Sequence, residues 1–187
     1  MNTPSHAILN LAILGQQHKP QFNLAIVIGA ILPDIPIFIF YFVSKFISKL
    51  PEKTIWTEAY YQPLWQDLIA TFHSFPLALI AWGIARYQGW KLAEIICLSL
   101  VWHSLLDIPV HSEDAHRHFF PFSNYRFISP ISYWNPRHYG NIVSPIERLI
   151  VLVASFYVFP WVSSYVGKSL IVMVNLVYII SYFYMRR

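Results

Sequence analysis

Five ionisable residues lie inside or at the ends of the most apolar stretches of this chain, and their types suit metal binding. They are His6, Asp34, His73, His103 and Asp107. A titratable side chain in a segment apolar enough for a membrane is costly, so it is usually paired, faces inward and serves a function. His and Asp side chains are also ligands of zinc and similar divalent cations. The five residues are therefore candidate metal ligands.

The pair His103 and Asp107 has the most informative spacing. In the run HSLLD the two residues are four positions apart, so on a helix both side chains project from one face. One helix can thereby supply two ligands to a metal ion, as in other helical His/carboxylate sites. The alternative is a His–Asp hydrogen bond that satisfies two buried polar groups.

The other three residues each have a structural alternative as well. Asp34 stands between two prolines in the run LPDIP, where a carboxylate is costly without a cation, although it could also cap the next helix. His73 precedes Pro76 and is expected at a turn, where its ring could bond a backbone carbonyl instead of a metal. His6 could simply be an exposed residue near the chain start.

A second group of chemistry-bearing residues follows Asp107. Residues 111–118 place six ionisable side chains in eight positions: His111, Glu113, Asp114, His116, Arg117 and His118. Such a cluster predicts a second metal site or a clamp for a substrate phosphate, with Arg117 as the anion partner and His111 and His118 beside it. A solvated polar loop is the alternative, which the aromatic runs that follow disfavour. His138 and Glu147 are further candidates for a second ion.

The composition indicates a membrane protein. The 187 residues suit one domain, residues 1–187, and are 56% hydrophobic, 18% aromatic and only 12% charged, about half the charged share usual in soluble domains. Mean hydropathy is +0.46. The net charge of +4 is spread thinly, which disfavours a nucleic-acid surface. Cys97 is the single cysteine, so an internal disulfide and a Cys-rich metal cluster are both excluded.

The first part of the chain predicts a short helical hairpin. Residues 4–18 form one expected helix and residues 22–32 a second, ended by Pro33. An antiparallel pair would bring His6 beside Asp34. Residues 35–50 are apolar and then gain two lysines, so they either continue the second helix as a span or form a helix that lies in the membrane interface.

Four further segments are each near the ~20 apolar residues needed to cross a membrane. They cover residues 68–85, 92–110, 146–166 and 168–185. Residues 111–145 form a loop rich in His, Pro and aromatic side chains. If the C-terminus is cytoplasmic, nine Lys and Arg residues lie inside and four outside, in agreement with the positive-inside rule. His73, His103 and Asp107 then share the cytoplasmic end of their segments.

These motifs resemble a known family. Their order is His6 on a short helix, LPDI at 32–35, HS at 73–74, HSLLD at 103–107 and PFS at 121–123. The chain is similar in this order to the bacterial inner-membrane metal-dependent hydrolases of the YdjM/YbcI type, and more distantly to zinc-dependent phospholipases C and P1-type nucleases. The resemblance implies an all-helical fold in which His6, Asp34, His73, His103 and Asp107 bind metal. It also implies a further ion at His116, with His138 and Glu147 as additional candidates.

The sequence therefore predicts an all-α, polytopic membrane helical bundle with a His/Asp metal site near its cytoplasmic face, in a bacterial inner membrane. The expected activity is hydrolysis of a phosphate ester or phospholipid with a divalent metal, zinc being favoured, and with Asp34 or Asp107 as base or bridging ligand. Membrane lipids are the expected partners. One alternative is a non-catalytic membrane protein with a closed, structural metal site. Another is a divalent-metal transporter, whose ligands would lie near the membrane midplane.

Overall fold

The computed structural model describes residues 1–184, and these residues are 74% helical with no strand. The prediction of an all-helical fold is confirmed. The α-helices are α1 (Thr3–Leu14), α2 (Asn23–Ile31), α3 (Ile35–Phe42), α4 (Glu52–Thr57), α5 (Pro63–Phe72), α6 (Phe75–Tyr87), α7 (Lys91–Asp107), α8 (Gly140–Val158) and α9 (Tyr165–Tyr184). Short 3-10 turns include Leu32–Asp34 between α2 and α3, and Ile108–Val110 after α7.

Four helices in the described residues are long and apolar enough to cross a membrane, which indicates a membrane protein. They cover Pro20–Ile47, Lys91–Val110, Gly140–Trp161 and Tyr165–Tyr184. A bent pair, Pro63–Phe72 and Phe75–Tyr87, could make a fifth span. The chain segment 35–50, whose placement the sequence left open, lies largely within the first of these candidate spans.

The first span joins two segments that the sequence divides at Pro33. Helix α2 ends at Ile31, just before Pro33, as predicted, but the chain does not turn away there. The chain tightens into the 3-10 turn Leu32–Asp34 and continues through α3 to the π-helical turn Val43–Ile47, giving one helix of 28 residues. A proline is tolerated in the first turn of a helical segment, where its missing N–H has no intrahelical partner. Asp34 thus sits at a local break inside a long helix.

The predicted segment 68–85 is also two helices rather than one. Helices α5 and α6 meet at His73 and Ser74 with a bend of 44°. Ser74 caps α6, since its hydroxyl accepts a hydrogen bond from the Leu77 N–H at 3.2 Å, and Pro76 lies in the first turn. His73 therefore stands at a fixed corner, as its position before Pro76 predicted.

Hydrogen bonds fix how α1, α2 and α7 lie against one another. Ser99 on α7 donates to the Ile26 carbonyl of α2 at 2.6 Å, and Asn10 on α1 donates to both the hydroxyl and the carbonyl of Ser99 at 2.8 Å. His103, one turn after Ser99, bonds the Ala30 carbonyl, one turn after Ile26. Helices α2 and α7 therefore run parallel. Helix α1 runs antiparallel to both, since Asn10 contacts Ser99 whereas the earlier His6 contacts the later Asp107.

The core of residues 1–184 contains two hydrophobic clusters. One joins α1, α2, α8 and α9 through side chains such as Ile8, Ile26 and Val151. The other surrounds Phe40 on α3 and includes Ile55 and Ile69 of the α4–α5 region. Asp34 lies between the α2 part of the long helix, which contributes to the first cluster, and the α3 part, which contributes to the second.

Candidate metal centre

The last turn of α7 supplies two side chains to this centre. His103 and Asp107 are both buried, and His103 Nε2 lies 3.1 Å from Asp107 Oδ2. The other ring nitrogen of His103, Nδ1, donates to the Ala30 carbonyl of α2 at 2.7 Å. The helical spacing thus places both side chains on one face, and the contact with α2 fixes the orientation of the ring.

His73 reaches the same place from the corner between α5 and α6. Its Nδ1 donates to the Ile69 carbonyl at 2.8 Å. Its own carbonyl accepts hydrogen bonds from Ser104 Oγ at 3.0 Å and from His118 Nδ1 at 3.2 Å. The Ser74 hydroxyl bonds the Phe120 carbonyl and so ties the corner to the loop after α7. One hydrogen bond thus orients the His73 ring, and the others fix the backbone of the corner that carries it.

Four hydrogen-bond acceptors face one another at this point. Since a carbonyl can only accept, Nδ1 carries the proton in both His73 and His103, and each Nε2 of the neutral ring presents a lone pair. Neither Nε2 has a hydrogen-bond partner in the described residues. Asp107 Oδ2 lies 3.8 Å from His73 Nε2, and Asp34 Oδ1 lies 3.9 Å from His73 Nε2 and 3.7 Å from His103 Nε2.

A divalent cation fits this arrangement. Buried lone pairs that face one another without a proton between them are unfavourable unless a positive charge compensates them. Ligand atoms around a tetrahedral zinc ion with bonds of ~2.0–2.1 Å are about 3.3 Å apart, close to the separations in this cluster. Backbone carbonyls that hold the outer nitrogen of each His are also the usual support of metal-binding imidazoles.

The second oxygen of Asp107 faces a different set of groups. His6 Nε2 lies 2.9 Å from Asp107 Oδ1, His111 Nε2 lies 3.1 Å from it, and the Met1 amino group lies 2.6 Å from it. The His6 ring stacks on His103, with centroids 3.7 Å apart. Complete burial lowers the pKa of His6 to about 3, so its ring is neutral, as a metal ligand must be.

His116 completes the cluster from the loop after α7. Its ring stacks on His73 with centroids 3.9 Å apart, and burial together with His73 holds the pKa of His116 well below its usual value. His111 differs: burial lowers its pKa, but the nearby Asp107 and Asp114 carboxylates outweigh this and raise it. The loop that the sequence singled out therefore contributes buried side chains to the site.

Three overlapping groups in the described residues could hold an ion, each with its ligand atoms within 4.8 Å of one another. They are His6 with His103 and Asp107, Asp34 with His73 and His103, and His73 with Asp107 and His116. Because Asp107, His73 and His103 each belong to two groups, the side chains exceed what one closed tetrahedral site needs. All six side chains predicted as ligands are thus part of one cluster.

Two other predicted site residues point elsewhere. Arg117 donates to Asp67 Oδ1 at 2.6 Å and to Asn124 Oδ1 at 3.0 Å, so its guanidinium ties the loop to α5. His138 Nε2 lies 3.7 Å from Glu113 Oε1 and belongs to none of the three groups. In this structure, neither side chain is placed to bind an ion in the cluster.

Glu147, predicted as a ligand of a second ion, holds the start of α1 instead. Its Oε1 accepts hydrogen bonds from the Asn2 N–H at 3.0 Å, the Asn2 side-chain amide at 2.9 Å and the Ser5 hydroxyl at 2.5 Å. The carboxylate is buried and belongs to none of the three groups. Glu147 therefore positions the helix that presents His6.

The sequence prediction missed several supporting residues. Thr3 donates a hydrogen bond to Asp34 Oδ2 at 2.5 Å. Ser104, which follows His103 on α7, donates one to the His73 carbonyl at 3.0 Å. Asn10 and Ser99, which are 89 positions apart in the sequence, join α1 to α7, and Ser99 also joins α7 to α2. Their common signal is a small polar residue within an apolar helix, which often marks a buried hydrogen bond.

Comparisons of the chain with models of protein families, with curated proteins and with solved structures found no match. The resemblance to inner-membrane metal-dependent hydrolases therefore stays an expectation from the sequence motifs. The geometry of the cluster is the basis for assigning a function.

Proposed function

We propose that this protein is a membrane-bound, metal-dependent hydrolase that acts on a phosphate ester. The observation that carries the proposal is the convergence of His73 Nε2 and His103 Nε2 with carboxylate oxygens of Asp34 and Asp107. Buried imidazoles with fixed outer nitrogens, facing two carboxylates, form a ligand set for a divalent cation.

The ligand types favour zinc among the divalent cations. Imidazole and carboxylate ligands suit zinc, and manganese can also bind such a mixed set. Cys97 is buried on α7 and belongs to none of the three groups, so the ligands come from nitrogen and oxygen alone. When bound, such an ion lowers the pKa of a coordinated water and polarises a phosphoryl oxygen.

The surplus of ligands supports a catalytic role over a purely structural one. A structural zinc site is closed by four protein ligands, whereas a catalytic site keeps positions for water and substrate. Here six side chains form three overlapping groups, and two of these groups share Asp107, which would suit two neighbouring ions. In metal-dependent phosphoryl transfer, a pair of ions stabilises both the attacking and the leaving oxygen.

The two carboxylates differ in their surroundings, and this suggests a division of roles. Asp107 is 1% exposed and has imidazole nitrogens near both of its oxygens, so it suits a bridging ligand. Asp34 is 8% exposed, and the Thr3 hydroxyl bonds its Oδ2. Asp34 is thus the better candidate to accept a proton from an attacking water, with Thr3 fixing its orientation.

Hydrolysis is expected from the purified, detergent-solubilised protein in a screen of lipid and water-soluble phosphate esters with zinc, manganese and magnesium. We expect His116→Ala to fold normally and to lose most of this activity, because His116 stacks on His73 from the loop side of the cluster. Turnover and thermal unfolding are measured together. Absence of turnover by the natural sequence across the screen would remove the main support for the hydrolase proposal.

Arg117 and its partner provide a matched pair of variants in the same assay. If the guanidinium acts on substrate, as the sequence suggested, Arg117→Ala loses activity and Asp67→Ala keeps it. If the guanidinium only ties the loop to α5, as its contact with Asp67 indicates, the two variants behave alike. We expect the second result, with a small effect, since exposed ion pairs contribute ~0–1 kcal/mol to stability.

We propose further that the protein lies in a bacterial inner membrane with its C-terminus in the cytoplasm. The charge count of nine inside to four outside supports this, although Arg186 and Arg187 lie outside the described residues. A reporter fused after Arg187 should then read cytoplasmic, and one inserted at the Gly89 turn should read external. The opposite pair of readings would move the metal site to the external face.

A further inference from the structure

Helices α8 and α9 enclose a groove of about 360 Å³ that is separate from the His/Asp cluster. Leu149, Leu152 and Ile179 form part of its apolar wall, and Arg148 supplies its charged side chain. Both helices are candidate membrane spans, and only 6% of the apolar window of α9 is buried inside the protein. The groove therefore opens toward the surface that lipid would cover.

Among the residues that the structure describes, none supplies a compensating charge for Arg148 in this groove. Its Nη1 is buried without a hydrogen-bond partner, and no carboxylate forms an ion pair with it in residues 1–184. Successive residues of a helix point about 100° apart, so the neighbouring Glu147 faces a different side from Arg148. Glu147 faces α1, where it accepts hydrogen bonds from Asn2 and Ser5. A cation in a membrane segment is costly unless an anion pairs with it.

The other polar side chains of the groove are already engaged within the bundle. Asn175 donates to Ser155 Oγ and to the Ile171 carbonyl, each at 2.8 Å. The Tyr178 hydroxyl lies 2.8 Å from Ser5 Oγ, at the end of the bundle that holds the cluster. Thus Arg148 is left to recognise a ligand, and the described part of the chain contributes no acidic side chain to the groove that would repel an anion.

From these observations we propose that the groove between α8 and α9 binds one anionic phospholipid, with its phosphate on Arg148 and an acyl chain along Leu152 and Ile179. A guanidinium binds phosphate oxygens through two parallel hydrogen bonds. Basic pockets between membrane helices are known to bind anionic headgroups. The apolar wall requires the acyl chain, which distinguishes a lipid from a free phosphate. The site does not depend on metal in the cluster.

Native mass spectrometry of the full-length protein in detergent tests this proposal. The protein is mixed with phosphatidylglycerol, with phosphatidylcholine or with water-soluble glycerol phosphate. We expect stable adducts with phosphatidylglycerol, at least about fivefold more than with phosphatidylcholine, and none with glycerol phosphate, because charge and acyl chain act together. Equal retention of the two lipids, or binding of glycerol phosphate alone, would overturn the proposal.

Three variants locate the site. Arg148→Gln should lose most of the phosphatidylglycerol adduct, whereas Lys168→Gln should keep it, since Lys168 lies at the opposite end of α9 against Phe159. Ile179→Trp should also lose the adduct by filling the groove while Arg148 stays in place. If Arg148→Gln fails to fold, the level of phosphatidylglycerol adduct on Ile179→Trp decides whether this groove is the lipid site. Retention of the natural level of adduct by a folded Arg148→Gln or Ile179→Trp would contradict the assignment.

Discussion

Replacing His103 or Asp107 by alanine is expected to remove most of the divalent metal that the purified protein binds. Both side chains lie on one face of α7, and each belongs to two of the three candidate ligand groups. Loss of a supporting residue around a metal ligand already costs roughly 10–100-fold in affinity, and loss of a ligand should cost at least as much. Elemental analysis after dialysis against a weak chelator measures the remaining metal.

Leu105→Ala is the control for these two variants. Leu105 lies on the same turn of α7 but is 42% exposed and outside the cluster. It should keep the metal content of the natural sequence. If folded His103→Ala and Asp107→Ala retain that content too, the metal centre does not exist as described, and the two side chains are only buried polar groups of the bundle.

Replacing Gly29 by valine is expected to disturb both the packing and the metal centre. A Cβ at Gly29 would lie 2.3 Å from the Ile96 carbonyl oxygen and 2.7 Å from Ser99 Cβ, so α2 and α7 could not approach as they do. Overfilling of a packed interior costs ~1–3 kcal/mol. The neighbouring Ala30 carbonyl, which fixes His103 Nδ1, would move as well. We expect a lower unfolding temperature together with a weaker affinity for metal.

Gly83→Val provides the matched control for this packing effect. Gly83 is also a helical glycine, on α6, but a Cβ there meets no atom within 4 Å. The intrinsic effect of valine on helix formation is then the same in both variants, and only the contact between α2 and α7 differs. Similar unfolding temperatures and metal affinities for the two variants would show that the close approach at Gly29 has no energetic importance.

Much of the helical fold is predictable from the sequence because it depends on local chain properties. Long apolar segments with few charges indicate spans, and the i, i+4 spacing of His103 and Asp107 places both on one helix face. The break at His73 follows from Ser74 as a cap and Pro76 in the next turn. Pro33 ends helix α2 as the sequence predicts, but the sequence leaves open whether the chain continues as one span, because that depends on the 3-10 turn Leu32–Asp34.

The site itself depends on contacts between residues far apart in the sequence. The residue types identified His6, Asp34 and Asp107 as candidates, but only the packing of α1, α2 and α7 directs the two oxygens of Asp107 toward different sets of imidazoles. Likewise, Glu147 and Arg117 have the charge expected of site residues, yet their partners are α1 and α5. A sequence pattern shows which side chains can bind a metal. Their orientation depends on carbonyls and hydroxyls that the tertiary structure brings near, because a hydrogen bond requires its two atoms to lie about 3 Å apart.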